Sequence, residues 1–130
     1  MNIEDLNFHK FPTTPIIDSN LLTLYQRLKQ VEAKWIEFGG PEFICTSGLR
    51  SESLQAQLIK EGKTAALKSK HLTGCAADIH DEDGLIKEWL VANPEILIAA
   101  SLWCESIPYT PGWCHFQIVP PGSGHRWFIP

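Results

Sequence analysis

The chain has 130 residues, of which 44% are hydrophobic and 20% charged, and its net charge is −4 at pH 7. This length fits one domain that can bury a hydrophobic core without needing disulfide bonds. The composition is ordinary for a soluble globular protein and offers no basic field for nucleic acid or an anionic membrane. No stretch has the length and apolarity of a transmembrane span, and residues 1–5 lack the features of a secretory signal. We therefore expect synthesis in the cytoplasm and neither nucleic acid nor a membrane as a partner.

The hydrophobic pattern predicts one α+β domain over residues 1–130. Residues 1–17 are expected to be irregular, and Asp18 or Ser19 can then cap a long helix that Gly39 and Gly40 end. The other predicted elements are a strand over 42–46, a helix of about ten residues after Ser51, a strand over 75–79, helices over 83–92 and 94–100, a hairpin of 102–105 with 113–119, and an extended tail over 120–130.

The four cysteines, at positions 45, 75, 104 and 114, form no CxxC pair. A zinc ribbon or a thioredoxin-like site is therefore not indicated, and reduced buried thiols are the expectation. Cys114 adjoins His115, but neighbours on a strand point to opposite faces, so one metal ion should not take both.

The run SKHLTGCAAD, residues 69–78, contains His71 and Asp78 seven positions apart, with small residues between them. A second histidine, His115, lies in GWCHFQ on the last predicted strand. Two imidazoles and one carboxylate are the usual protein ligands of a catalytic zinc ion that keeps a fourth position open. If the two strands pair, His115 can face Asp78 across the sheet. Each residue taken alone is more typical of a surface or satisfied core position, so the prediction depends on all three converging.

The same run resembles the SxHxxGxAxD signature of the zinc D-alanyl-D-alanine peptidases. Residues 46–51 (TSGLRS) are similar to the SGYRS segment of that family, and residues 57–64, which lead into residues 69–71, are similar to bacteriophage L-alanyl-D-glutamate endolysins. Residues 113–117 (WCHFQ) fall where the family places its second zinc histidine. The resemblance covers roughly residues 42–119. It implies the hedgehog/D-Ala-D-Ala-peptidase fold, in which helices pack on a small antiparallel sheet that carries the zinc site.

Carried over by position, the resemblance implies three Zn²⁺ ligands: His71, Asp78 and His115. Arg50 matches the arginine that reaches the substrate and steadies the developing oxyanion, a task that suits a permanently charged, rigid guanidinium. A solvated or helix-capping Arg50 is the alternative. Ser69 and Trp113 are the remaining substrate-site candidates. We expect Ser69 to act mainly by holding the loop through backbone hydrogen bonds, and Trp113 to line a peptide groove.

The chain departs from the family at the general base, which relatives commonly carry three residues before the last zinc histidine. Here that position is Gly112, and the nearest upstream carboxylate is Glu105, on the other arm of the predicted hairpin. If Glu105 pairs opposite His115, its carboxylate faces the metal site. If Cys104 pairs there instead, Glu105 points away. Two other candidates are His80 and the acidic run 81–83, the latter being more typical of a solvated helix start.

Together these features favour a zinc metallopeptidase that acts on peptidoglycan stem peptides and is of phage or prophage origin. Release to the cell wall on lysis, or association with a virion, would bring it to that substrate. The first alternative is an inactive zinc-binding module that binds peptidoglycan or serves in a virion, which Gly112 favours. The second is a scaffold in which the signature is residual. The sequence leaves open whether D-Ala-D-Ala or L-Ala-D-Glu bonds are cleaved, and it leaves the oligomeric state open.

Overall fold

The structure is a computed structural model that describes residues 1–130 throughout. The helices are α1 (Pro15–Phe38), α2 (Glu52–Lys60), α3 (Leu85–Ala92) and α4 (Glu95–Ala100), and the strands are β1 (Cys45–Ser47), β2 (Ala76–Asp81), β3 (Trp103–Glu105), β4 (Gly112–Gln117) and β5 (Trp127–Phe128). Three 3₁₀ helices cover Ile3–Asn7, Lys70–Thr73 and Ile107–Tyr109. The predicted α+β class is confirmed, and none of the helices is long and apolar enough to cross a membrane.

Helix α1 begins at Pro15, earlier than the predicted cap at Asp18 or Ser19. The side chain of Thr14 accepts a hydrogen bond from the backbone N–H of Ile17 at 3.2 Å. Thr14 therefore satisfies a donor that the helix start leaves free, and the proline after it supplies a backbone angle suited to the first turn. The apolar spacing alone placed the start too late because this first turn is largely exposed.

The expectation that residues 1–17 are irregular is wrong at their start as well. The 3₁₀ helix Ile3–Asn7 buries Leu6 completely, and the carbonyl oxygen of Leu6 accepts a hydrogen bond from the N–H of Leu49 at 2.8 Å. A Cβ atom at Gly48 would lie 2.1 Å from that carbonyl oxygen. Glycine at position 48 is therefore what allows the N-terminal segment to pack against the loop that leads into the site.

The sheet has the strand order β1-β2-β4-β3-β5. The first four strands pair antiparallel, and the predicted β3–β4 hairpin is confirmed by the pairing of Cys104 with Phe116. In β2 and β4, Asp78 is directly opposite His115. The predicted extended tail adds a fifth strand, which runs parallel to β3 and makes the sheet mixed.

Successive side chains of β2 and β4 alternate between the two faces of the sheet, so that one face packs in the core and the other carries the site. Ala77, Ile79 and Phe116 are fully buried in the main hydrophobic cluster with the apolar side of α1. Asp78 and His115 occupy the intervening positions and so project from the opposite face of the sheet. The core side therefore fixes which side chains meet on the other face.

The cysteines are all free thiols, as expected. Cys75, Cys104 and Cys114 are buried, and Cys45 is half-buried. Burial is also the main reason that the pKa of Cys45 rises to about 12. Because Cys114 lies in the hydrophobic core, it does not share the face that carries His115.

Candidate metal centre

The structure brings together His71, Asp78 and His115, which the sequence distributes over 45 positions. The Oδ1 atom of Asp78 lies 2.9 Å from Nδ1 of His115 and 3.4 Å from Nε2 of His71. One ligand atom from each residue lies within 4.8 Å of the others, and the three residues are only 2%, 8% and 5% exposed in chain order. This is the convergence on which the sequence prediction depended.

Local hydrogen bonds place His71 at the end of the loop before β2. The Oγ atom of Ser69 accepts the N–H of His71 at 3.2 Å, and the N–H of Arg50 donates to the His71 carbonyl at 3.1 Å. Gly74 then ends the short 3₁₀ helix with a φ of 76°. A side chain there would be strained and would meet Leu21 of α1 at 3.0 Å. Ser69 thus holds the loop as expected.

Each histidine ring is also held by its second nitrogen. Nδ1 of His71 donates to the carbonyl oxygen of Gly48 at 2.8 Å, and Nε2 of His115 lies 2.9 Å from Oε1 of Gln117. The Gln117 amide is oriented because its NH₂ group donates to the Val119 carbonyl at 2.7 Å. In a neutral ring such contacts favour the proton on this nitrogen, which leaves the opposite nitrogen available as a metal ligand.

Each ring turns its other nitrogen toward Oδ1 of Asp78, and in a neutral ring of this tautomer that nitrogen carries no proton, so three acceptors would then meet at one point. A shared cation, either a proton or a metal ion, satisfies this arrangement. Burial would raise the pKa of Asp78, but the charge of His71 and the hydrogen bonds from both histidines lower it well below its ordinary value. Burial would lower the pKa of His115, yet its hydrogen bond to Asp78 raises it. The two imidazole nitrogens and the carboxylate oxygen fit a divalent metal ion that accepts nitrogen and oxygen ligands.

The guanidinium of Arg50 borders the centre and is held on three sides. It donates to Oγ of Ser47 at 3.0 Å, to Oε1 of Gln55 at 3.0 Å and to Oδ2 of Asp78 at 3.4 Å. Gln55, which is 2% exposed, also donates to the carbonyl of Ala66 at 2.6 Å. Arg50 is therefore neither solvated nor a helix cap, and Gln55 links it to the loop that follows α2.

The register of the β3–β4 hairpin places Glu105 on the face of the site. Because Cys104 pairs with Phe116, the next position brings Glu105 opposite His115. An Oε atom of Glu105 lies 3.7 Å from Nδ1 of His115. Of the two registers that the sequence left open, the structure has the one that turns Glu105 toward the candidate metal ligands.

The other base candidates lie elsewhere. His80 is exposed, and its nearest charged partner is Glu82, 3.9 Å away. Asp81 is buried, and its carboxylate is satisfied there because its two oxygens accept the N–H groups of Ile86 and Lys87 at 2.9 and 3.1 Å. The expected solvated helix start is therefore wrong for Asp81, which is the buried last residue of β2, whereas Glu82 and Asp83 are exposed and precede α3.

The centre opens into a cleft of about 690 Å³. Arg50, Glu105 and Trp113 line this cleft together with the three candidate ligands and Gln117. Ser69 lies at its edge beside two exposed lysines. All the site residues proposed from the sequence therefore border one cavity. Sequence reasoning missed Gln55 and Gln117, although Gln117 lies two positions after His115 and so on the same strand face.

Fold and site together define an α+β domain with a buried two-histidine, one-carboxylate candidate metal centre beside an open cleft. Searches against models of known families and against curated proteins found no match. Among solved structures, the chain is similar to the crystal structure of the Serratia marcescens L-Ala D-Glu endopeptidase ChiX, with 20% sequence identity and a TM-score of 0.55. The alignment covers 92% of this chain and 98% of that one. The two proteins therefore share a fold over nearly their whole length.

Proposed function

We propose that the protein is a zinc-dependent peptidase that cleaves peptidoglycan stem peptides. The observation that carries the proposal is the meeting of His71, Asp78 and His115 around one point, where one nitrogen of each ring faces Asp78 and the other faces a carbonyl oxygen of the protein. Two nitrogens and one carboxylate oxygen match the ligand set of catalytic zinc. The endopeptidase fold of the similar structure supports the same reaction class as an analogy.

When bound, zinc supplies Lewis-acid polarisation of a carbonyl group and lowers the pKa of a bound water. The protein's own residues then have distinct tasks. Arg50 lies beside Asp78 with a rigidly held guanidinium, from which it can stabilise negative charge on the carbonyl oxygen. Trp113 offers a flat apolar wall for the peptide, and Ser69 keeps the His71 loop in place.

Glu105 is our candidate for the general base. Its carboxylate projects into the cleft beside His115, where it can accept a proton from the attacking water and return it to the amine that leaves. This assignment replaces the acid that relatives carry at the position of Gly112. Strand β3 thus supplies the group that the family takes from the strand of the zinc histidine.

Among stem-peptide bonds we favour the L-Ala–D-Glu bond, since the similar solved structure is an L-Ala D-Glu endopeptidase. The motif similarity to bacteriophage endolysins supports a phage or prophage origin, with wall access on lysis or through a virion. The D-Ala–D-Ala bond is the second candidate substrate, because the SxHxxGxAxD signature is shared with that peptidase family.

The test is digestion of purified peptidoglycan by zinc-loaded protein, with new amino termini identified by mass spectrometry. We expect Glu105→Gln to lower kcat by about a hundredfold or more while zinc content stays at one ion per chain. Glu95→Gln, which removes an acid on α4 away from the cleft, is the matched control. Wild-type activity in Glu105→Gln would rule out Glu105 as the base.

A second candidate function is an inactive zinc-binding module, and Gly112 at the usual base position favours it. The two functions differ in one measurement. An inactive module binds zinc and peptidoglycan but releases no new amino termini. A peptidase binds zinc and peptidoglycan and also releases new amino termini. The ligand assignment itself is tested by His71→Ala, which we expect to lose bound zinc; unchanged zinc content would contradict both functions.

A further inference from the structure

The cleft has a charge opposite to that of the protein as a whole. The chain contains 15 acidic and 11 basic residues, excluding histidine. Four of the basic residues line the cleft, namely Arg50, Lys63, Lys68 and Lys70, but only two of the acidic ones do, namely Asp78 and Glu105. The excess of positive charge is therefore local to this cavity, in a protein with a net charge of −4.

The three lysines are available for a ligand carboxylate, whereas Arg50 is assigned to the carbonyl oxygen of the scissile bond. Arg50 is already bonded to Asp78. Lys63 is paired with Glu61 at 3.4 Å, but both side chains are exposed, and such pairs exchange readily with other partners. Lys68 and Lys70 are exposed and form no ion pair in the structure. Within the protein, therefore, only the exposed Glu61 pairs with one of these three lysines.

The rim is attached to ordered structure. Residues 61–69 connect α2 to the 3₁₀ helix that holds His71. The N–H of Lys63 donates to the Leu58 carbonyl at 2.9 Å, and the buried Gln55 holds the carbonyl of Ala66. These bonds anchor the loop to α2 at two points, so the ammonium groups are displayed at the edge of the cleft from a fixed backbone.

We propose that this lysine rim, formed by Lys63, Lys68 and Lys70, makes the cleft selective for peptides that carry a free carboxylate beside the scissile bond. The inference rests on the proposed function and refines its substrate. A stem peptide with glutamate after the cleaved bond bears such a carboxylate, and the same peptide with that group converted to a primary amide does not. The two differ by one charge and hardly in shape, so a cationic rim discriminates between them by charge alone.

The size of the effect follows from the exposure of the lysines. Exposed charge pairs contribute modestly, so each lysine should favour the carboxylate form by about two- to fivefold. Such an interaction is weakened by salt, because the Debye length falls from about 10 Å at 0.1 M to about 3 Å at 1 M. The preference should therefore shrink as the salt concentration rises.

The experiment compares L-alanyl-γ-D-glutamyl-L-lysine with its counterpart amidated at the glutamate α-carboxylate. kcat/KM is measured for both peptides with zinc-loaded wild type, Lys63→Gln, Lys68→Gln and the double variant. Lys34→Gln, an exposed lysine on α1 outside the cleft, is the matched control. We expect wild type to prefer the free carboxylate, the double variant to lose most of that preference, and Lys34→Gln to retain it.

Equal kcat/KM for the two peptides in wild type would overturn the lysine rim while leaving the peptidase proposal intact. So would a preference that Lys34→Gln reduces as much as the double variant. If neither peptide is cleaved, calorimetric binding of the same two peptides takes the place of kcat/KM. Tighter, lysine-dependent binding of the carboxylate form would then support the rim and contradict the peptidase, whereas equal or absent binding would overturn the rim as well.

Discussion

Under the proposed function, Gln117→Leu should weaken zinc binding although Gln117 is not one of the three candidate ligands. In the structure the Gln117 amide accepts the Nε2–H of His115 at 2.9 Å and is itself held by the Val119 carbonyl. With leucine, the metal-loaded state keeps a buried His115 N–H without a partner, because the ring cannot turn while Nδ1 faces the ion. In the metal-free state the His115 ring can instead carry its proton on Nδ1 and donate it to Asp78, so that no buried N–H lacks a partner. The cost of the unpaired N–H therefore destabilises mainly the metal-loaded state, which weakens metal binding.

An unsatisfied buried donor costs about 1–3 kcal/mol, and loss of such outer contacts typically weakens metal affinity by about ten- to a hundredfold. We expect a loss of that size in a zinc titration against a competing chelator. Gln57→Leu makes the same change on the exposed side of α2 and should leave the zinc Kd unaltered. A zinc Kd for Gln117→Leu within about threefold of wild type would refute the proposed orientation of His115.

The remaining predictions concern Arg50 and a buried carboxylate far from the cleft. Gln55→Leu removes an acceptor from Arg50, and we expect stem-peptide kcat to fall about ten- to a hundredfold with zinc affinity retained; an unchanged kcat would contradict a positioning role. Glu32→Gln weakens the contact to the Phe43 N–H, now 2.8 Å, and should cost about 3 kcal/mol in urea unfolding. Burial would raise the pKa of Glu32, but hydrogen bonds from Lys29 and Phe43 lower it below 4.5. Its stabilising effect is therefore complete above pH 4.5 and lost on further acidification, so wild type and Glu32→Gln should converge in acid.

The candidate ligands were predictable because motif and periodicity both constrain them. His71 and Asp78 come from one short run, and His115 lies on a strand whose partner could be inferred from its apolar pattern. The direct pairing of Asp78 with His115 confirms that inference. Alternation of side chains between the two faces of a strand then decides that Cys114 enters the core and His115 the site.

The sequence did not determine which face of the sheet carries Glu105, since a shift of one residue in the hairpin register moves every side chain of the strand to the opposite face. Gln55 and Gln117 were missed for a different reason. Their partners include backbone carbonyls, of Ala66 and Val119, which carry no sequence signature. The early start of α1 was missed because its first turn is exposed and lacks an apolar pattern, although a threonine followed by proline is a recognisable capping signal.

The C-terminal segment has a role in the site that its composition does not indicate. Strand β3 has only three residues, yet it is bonded on both sides. Besides its pairing with β4, the N–H of Cys104 donates to the carbonyl of Arg126 at 2.9 Å, and the N–H of Ser106 donates to that of Phe128 at 2.8 Å. These bonds flank Glu105 in the chain, and a slip of one residue would break both as well as the pairing with β4. Under the proposed function, β5 is therefore what keeps a carboxylate from a neighbouring strand facing His115, in a chain where the usual base position is a glycine.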